Sequence, residues 1–223
     1  MTEPMPPTVP DDKPGASPWR LAALAAFVLC TSTLTGGCSV TDSESRAVDG
    51  DDEISLIDGM RDQGSYEDAR ARLNAAVTTI ADRIVAAVPE QTWQFSADPN
   101  VQEAKAGGLT CDKLSGNVAL RPLSDMVEFG RIFSAEEFAT AQAVVAEEAA
   151  AFGATDESSL PDQGSRRDFD VQGNGYEFTL RQGGTAILTA TGDCFLKQSV
   201  LDSPPGQLPP EPSLLPGDPP PTP

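Results

Sequence analysis

The sequence predicts an α+β fold, a two-layer sandwich in which two main helices pack on a mostly antiparallel sheet stapled by one disulfide. Three observations predict it. Apolar residues recur at 3-4 spacing over 65–88 and again over 134–152, the spacing of one buried helix face. The period then switches to two over 168–191, where apolar and polar residues alternate as they do on a half-buried strand. Cys111 and Cys194 bracket most of this region.

The elements follow in order. A short helix is expected over 53–63, with Ile54, Ile57 and Arg61 on one side and Gly64 ending it. Ser65 then caps a longer helix whose apolar positions are Tyr66, Ala69, Leu73, Ala76, Val77, Ile80, Ile84 and Val88, with Pro89 stopping it. Thr92-Trp-Gln-Phe95 reads as a short aromatic strand, and the turn-rich Ser96-Ala-Asp-Pro-Asn100 as its exit. Residues 126–133 read as a strand interrupted by Gly130. Ser134-Ala-Glu-Glu137 is a capping box, flanked by Phe133 and Phe138 as a hydrophobic staple. The helix it opens carries Phe138, Ala141, Val144, Val145, Ala149 and Phe152 on one face, and Gly153 ends it. A strand at 155–160 precedes a three-stranded meander: Phe169 and Val171 alternate with polar residues, Asn174-Gly175 supplies a type I′ turn, Tyr176, Phe178 and Leu180 lead back, and Gly183-Gly184 turns into 185–191.

Composition excludes several chemistries. The chain has 223 residues, 15 Lys+Arg against 34 Asp+Glu, and a net charge of −19, which repels phosphate backbones and argues against nucleic-acid partners. It has no histidine, which removes Ser-His-Asp, Cys-His and His-ligated metal chemistry. No cofactor, metal ligand set or catalytic residue is assigned.

The chain begins with a segment expected to be removed. Ten apolar residues, Leu21 to Cys30, would form a helix of about 15 Å, half a hydrocarbon core, which suits an export signal and not a spanning anchor. Leu34-Thr35-Gly36-Gly37-Cys38 follows and resembles a bacterial lipobox, with Thr35 where Leu is usual. The resemblance implies that Cys38 receives a diacylglyceryl group and becomes the first mature residue. Two or three chains on one cysteine hold a protein durably where one does not. The organisation expected is a lipoprotein signal peptide over 1–37, a flexible tether over 38–50, one α+β domain over 51–202 and a disordered Pro-rich tail over 203–223, which holds ten prolines in 21 residues. The membrane is thus the expected partner, through the lipid, on the extracytoplasmic face of the cell membrane.

With Cys30 excised and Cys38 acylated, Cys111 and Cys194 are the remaining thiols in an oxidising compartment, and a structural disulfide is the simplest reading. A redox pair is the alternative; the two are not in a CxxC. Gly64-Ser-Tyr-Glu-Asp-Ala-Arg70, Cys111-Asp-Lys-Leu114, Asp170-Val-Gln-Gly-Asn-Gly-Tyr-Glu-Phe178, Thr191-Gly-Asp-Cys-Phe-Leu196 and Gly206-Gln-Leu-Pro-Pro-Glu-Pro212 together resemble the LppA/LppB lipoprotein family of mycobacteria. That resemblance implies a lipid-anchored envelope protein with Cys111 and Cys194 paired, and carries over no catalytic residue.

Other candidate sites read as structure. Asp49-Gly-Asp-Asp-Glu53 places Ile54 where a calcium loop needs Gly, so it is a solvated acidic entry. Gly173-Asn-Gly175 is hairpin chemistry, with no helix following to hold a phosphate. Asp168 and Asp170 could be paired carboxylates for glycoside hydrolysis, and are expected on the solvent face of a strand. Lys105, Lys113 and Lys197 stand in no S-x-x-K arrangement. Arg166-Arg167 is a basic doublet expected to be solvated, and the PxxP spacings at 209–212 and 216–219 follow from proline density alone. Three functions compete: a non-catalytic envelope module binding a protein, glycan or apolar ligand through the open sheet face or a helix groove; a structural spacer or surface antigen; and a carboxylate-dependent hydrolase. A concave apolar pocket favours the first, a flat polar surface the second, convergent buried carboxylates the third.

Overall fold

Asp51, Asp52 and Glu53 open helix α1 (Asp51–Met60) in the computed structural model, which describes residues 50–160 and 164–209. Carboxylates in a first turn are favoured by the positive end of the helix dipole, which accounts for Asp51, Asp52 and Glu53 at this position. The helix starts and ends earlier than the pattern suggested and tightens into a 3₁₀ turn, Arg61–Gln63, before Gly64 at φ 88°. The signal peptide, Cys38, the tether up to residue 49 and both PxxP motifs beyond Pro209 lie outside the described residues.

Ser65 caps helix α2 (Tyr66–Ala87) by accepting from the Asp68 N–H, and every expected apolar position is buried along one stripe. Strand β1 (Trp93–Phe95) follows. The next segment corrects the sequence reading: residues 96–100 do not simply turn but launch helix α3 (Pro99–Gly107), in which Asp98 caps by accepting from the Asn100 N–H and Pro99 takes the first helical position. Beyond it come β2 (Leu109–Thr110), β3 (Ala119–Arg121) and β4 (Val127–Phe129). The expected strand over 126–133 is thus shorter, stopping at Gly130, whose N–H donates to the Thr92 carbonyl at 2.9 Å.

Helix α4 (Ala135–Ala150) starts with the full capping box: Ser134 Oγ accepts from the Glu137 N–H and the Glu137 carboxylate accepts from the Ser134 N–H. Phe133 and Phe138 pack with ring centroids 6.3 Å apart, the expected staple. The chain continues through β5 (Asp156–Ser159), β6 (Arg167–Gly173), β7 (Tyr176–Gln182), β8 (Ala186–Thr191), β9 (Phe195–Leu196) and the short helix α5 (Gln198–Leu201). Asn174 and Gly175 sit at φ 49° and 79°, as a type I′ turn requires.

Six strands form an antiparallel sheet in the order β1-β4-β8-β7-β6-β5. Helices α2 and α4 cover one face, and the main core lies between: Leu73, Ile80, Ile84, Val145, Phe178 and Leu188 are fully buried there. The expected two-layer α+β sandwich is therefore present. What the sequence reading did not contain is a second, three-stranded sheet, β2-β3-β9, which packs with α1 and the first turns of α2 around a smaller core of Ile57, Leu114, Ala119 and Leu196. The Cys111–Cys194 disulfide lies against this smaller core and links the segment after β2 to the residue before β9, with Cα atoms 5.9 Å apart.

Arg131 fixes the entry to α4. Its guanidinium bonds both Glu137 carboxylate oxygens, at 2.8 and 2.9 Å, and donates to the Pro89 carbonyl at 2.8 Å. The ion pair and the bonded Ser134 N–H pull the Glu137 carboxyl down to about 2. A carboxylate lowered on folding stabilises above its ordinary range and loses that contribution as pH falls through the folded value. A carboxyl titration followed by NMR is therefore expected to give Glu137 a midpoint near 2; a midpoint in the ordinary range near 4 would show that the box is not formed in solution.

Candidate binding cleft beneath helix α3

The open face of the large sheet carries mostly polar side chains. Register places Glu128, Ile187, Arg181 and Asp168 in one cross-strand row and Thr189, Thr179, Asp170 and Ser158 in another. Asp168 and Asp170 do share this face, and neither is free. Asp168 pairs with Arg181 at 3.2 Å, while Asp170 accepts from the Thr179 hydroxyl at 2.6 Å and has Arg181 at 3.8 Å. The Arg166-Arg167 doublet is split by the strand: Arg166 is exposed, whereas Arg167 turns inward, donates to the Phe133 carbonyl at 3.3 Å and lies over the Phe138 ring.

Among the described residues three concave regions stand out. A groove of about 520 Å³ runs between α4 and β5, but its edge strand is fully exposed and guarded by Asp156 and Glu157, a pattern that repels an added strand. A second region, about 480 Å³, lies at the turn between β7 and β8 and gathers Arg166, Arg167 and Arg181 with Asp168. The third, about 390 Å³, opens beneath α3 and combines cationic groups with apolar walls.

The α3 cleft is assembled by four pieces of chain. Helix α2 contributes Arg70; the end of β1 contributes Phe95; α3 contributes Val101 and Lys105; the approach to β4 contributes Asp125 and Met126. Helix α3 buries no residue of its own and is held at its ends. Gln102 Nε2 donates to the Ser96 carbonyl at 2.9 Å, and the Tyr66 hydroxyl donates to the Ala106 carbonyl at 2.8 Å. Gly108, at φ 66°, lets the chain turn where an added Cβ would lie 2.9 Å from both the Arg121 carbonyl oxygen and the Tyr66 hydroxyl.

Asp125 is fully engaged: its carboxylate pairs with Arg70 Nη2 at 2.6 Å and accepts from Asn74 Nδ2 at 2.9 Å, while its own N–H donates to Asn74 Oδ1 at 2.7 Å. The two cations are less well served. Arg70 Nε is buried without a hydrogen-bond acceptor among the described residues. Lys105 is half-buried with no carboxylate partner among the described residues, and burial pushes its ammonium below the usual lysine range. Ser96 lines the same cleft, yet its hydroxyl accepts from the Asp98 N–H at 3.4 Å and makes no bond to Lys105. The cleft presents charge and apolar surface, not a nucleophile paired with a base.

Sequence reasoning missed this site because it missed α3. The signal was present as Asp98-Pro99, an N-cap followed by proline at the first helical position, the arrangement that starts helices as readily as turns. Lys105, weighed only as part of a catalytic dyad, is placed by that helix in the lining of the same cleft as Phe95 and Met126.

A family model named LppA, described as a lipoprotein confined to pathogenic Mycobacterium, matches residues 41–198. The chain is 50% identical over 200 residues to a protein of Mycobacterium tuberculosis (strain H37Rv) that carries the lipoprotein name LppA, covering 89% of this chain and 91% of the relative. It is 46% identical over 223 residues to a protein of the same strain that carries the lipoprotein name LppB, covering 99% and 98%. A crystal structure of the M. tuberculosis lipoprotein LppA superposes with a TM-score of 0.71 at 56% identity, covering 72% of this chain and 95% of that one. The solved chain consists almost wholly of the matched part, which therefore folds on its own in that relative.

Proposed function

The chain belongs to the LppA family of mycobacterial lipoproteins, and from that premise we propose that it is a lipid-anchored envelope protein whose folded part is a non-catalytic binding module. The observation that carries the binding reading is the α3 cleft, a concavity with apolar walls and incompletely satisfied cations in a chain whose net charge is −19. Buried polar groups without partners mark places where a water, ion or ligand belongs. The carboxylates of the open sheet face support binding over hydrolysis, because Asp168 and Asp170 are each committed to neighbouring side chains.

The anchor is assigned to Cys38. No helix of the described residues is long and apolar enough to cross a membrane, and a chain this acidic gains nothing from anionic headgroups. Acyl chains contribute about 0.8 kcal/mol per buried CH₂, so the two chains of a diacylglyceryl group hold the protein without electrostatic help. Cells expressing the protein and fed an alkyne-tagged fatty acid are expected to label the wild-type chain and leave Cys38→Ala unlabelled. Equal labelling of the variant would remove Cys38 from the account.

A further inference from the structure

We infer that the α3 cleft binds a small amphiphilic monoanion, a carboxylate on a compact apolar body, with Lys105 as counter-ion and Phe95, Val101 and Met126 as walls. This rests on the binding-module reading and adds the ligand's chemical class. The charge balance selects the class. Arg70 and Lys105 bring two positive charges and Asp125 one negative, and the Arg70–Asp125 pair at 2.6 Å is internally neutral. One uncompensated charge, that of Lys105, is left in the cleft. A single carboxylate matches it. A phosphate dianion would exceed it.

The apolar half selects the body of the ligand. Phe95 is 38% exposed beside Met126 and Val101, an aromatic and aliphatic wall adjoining a desolvated ammonium. A bare anion would leave that wall wet, and a neutral apolar molecule would leave Lys105 desolvated and unpaired, which is the costlier error. Arg70, another lining residue, has its Nε buried without an acceptor among the described residues. At about 390 Å³ the cleft sits at the small end of ligand sites, which sets the compactness of the body.

The test uses residues 39–223, which contain the part that folds on its own in the crystallised relative. In that chain Trp93 is the sole tryptophan, and its ring centroid lies 5.2 Å from that of Phe95, a cleft wall, so its emission reports occupancy. The probes are octanoate, 3-phenylpropanoate, octanamide and inorganic phosphate. Octanoate or 3-phenylpropanoate is expected to shift Trp93 emission saturably, the better of the two telling an aliphatic body from an aromatic one. Octanamide and phosphate are expected to bind at least tenfold more weakly, the scale of a charge-assisted hydrogen bond. Lys105→Met and Lys105→Gln are each expected to weaken carboxylate binding roughly 10- to 100-fold while melting no lower than wild type, since both remove a desolvated charge. Equal binding of octanamide and octanoate, or undiminished octanoate binding by both folded Lys105 variants, would overturn the anionic class and leave the binding module standing. Phosphate binding as tightly as octanoate would overturn the amphiphile and leave the same reading. If no probe binds, both fall.

Discussion

Replacing Cys111 and Cys194 together by serine is expected to lower the stability of the folded region by about 4–5 kcal/mol, the chain-entropy cost of opening a loop whose ends are 83 residues apart in sequence. For a domain of this size that is a fall in melting temperature of roughly 10–15 °C. The loss should not be uniform. The bridge lies against the smaller core of Ile57, Leu114, Ala119 and Leu196, which has few residues to spare, whereas the main core between α2, α4 and the large sheet touches neither sulfur. Amide exchange in the variant is expected to accelerate first in β2, β3 and β9 and only later in β6–β8. A melting temperature within about 2 °C of wild type, or uniform acceleration across both sheets, would mean that the small sheet is held by its side-chain packing and the bridge is incidental.

The second large effect concerns the main core. Phe178 is fully buried on β7, with Val171 and Ala190 as its cross-strand neighbours and the Phe152 ring centroid 5.3 Å away. Truncation to alanine removes the transfer energy of the ring and leaves a cavity that the sheet cannot close, at a cost of about 3–5 kcal/mol. Thr189 lies one strand over, on the polar face, and its replacement by alanine should cost under about 1 kcal/mol. Denaturant unfolding of the two variants measures the contrast. Similar losses would mean that the open face is covered in solution and that the polar ladder is not solvent-facing.

The parts of this fold that could be read from the chain are those in which local chemistry and burial agree. The stripe from Tyr66 to Ile84, the Ser134/Glu137 box with its Phe133–Phe138 staple, and the Asn174-Gly175 hairpin each carry period and punctuation together. The second sheet carried neither. Leu109–Thr110 and Phe195–Leu196 are two residues each, too short for alternation to register, and the three residues Ala119–Arg121 are placed by pairing with β2 and β9 and packing on α2 rather than by a pattern of their own. The cleft was hidden for a related reason. Its residues come from α2, β1, α3 and the approach to β4, and only the tertiary placement of α3 brings Lys105 near Phe95. A lone lysine in sequence says nothing about burial; its desolvation is a property of the assembled wall.

The proposed anchor at Cys38 and the proposed ligand of the cleft make different demands on experiment, and the anchor would set the compartment of both. The most direct measurement is the intact mass of the native polypeptide extracted from membranes of the producing cell. The account predicts a chain that begins at Cys38 and carries the added mass of a diacylglyceryl group, with or without a further amide-linked acyl chain. A polypeptide that begins upstream of Cys38, or one that carries no fatty mass on that residue, would contradict it.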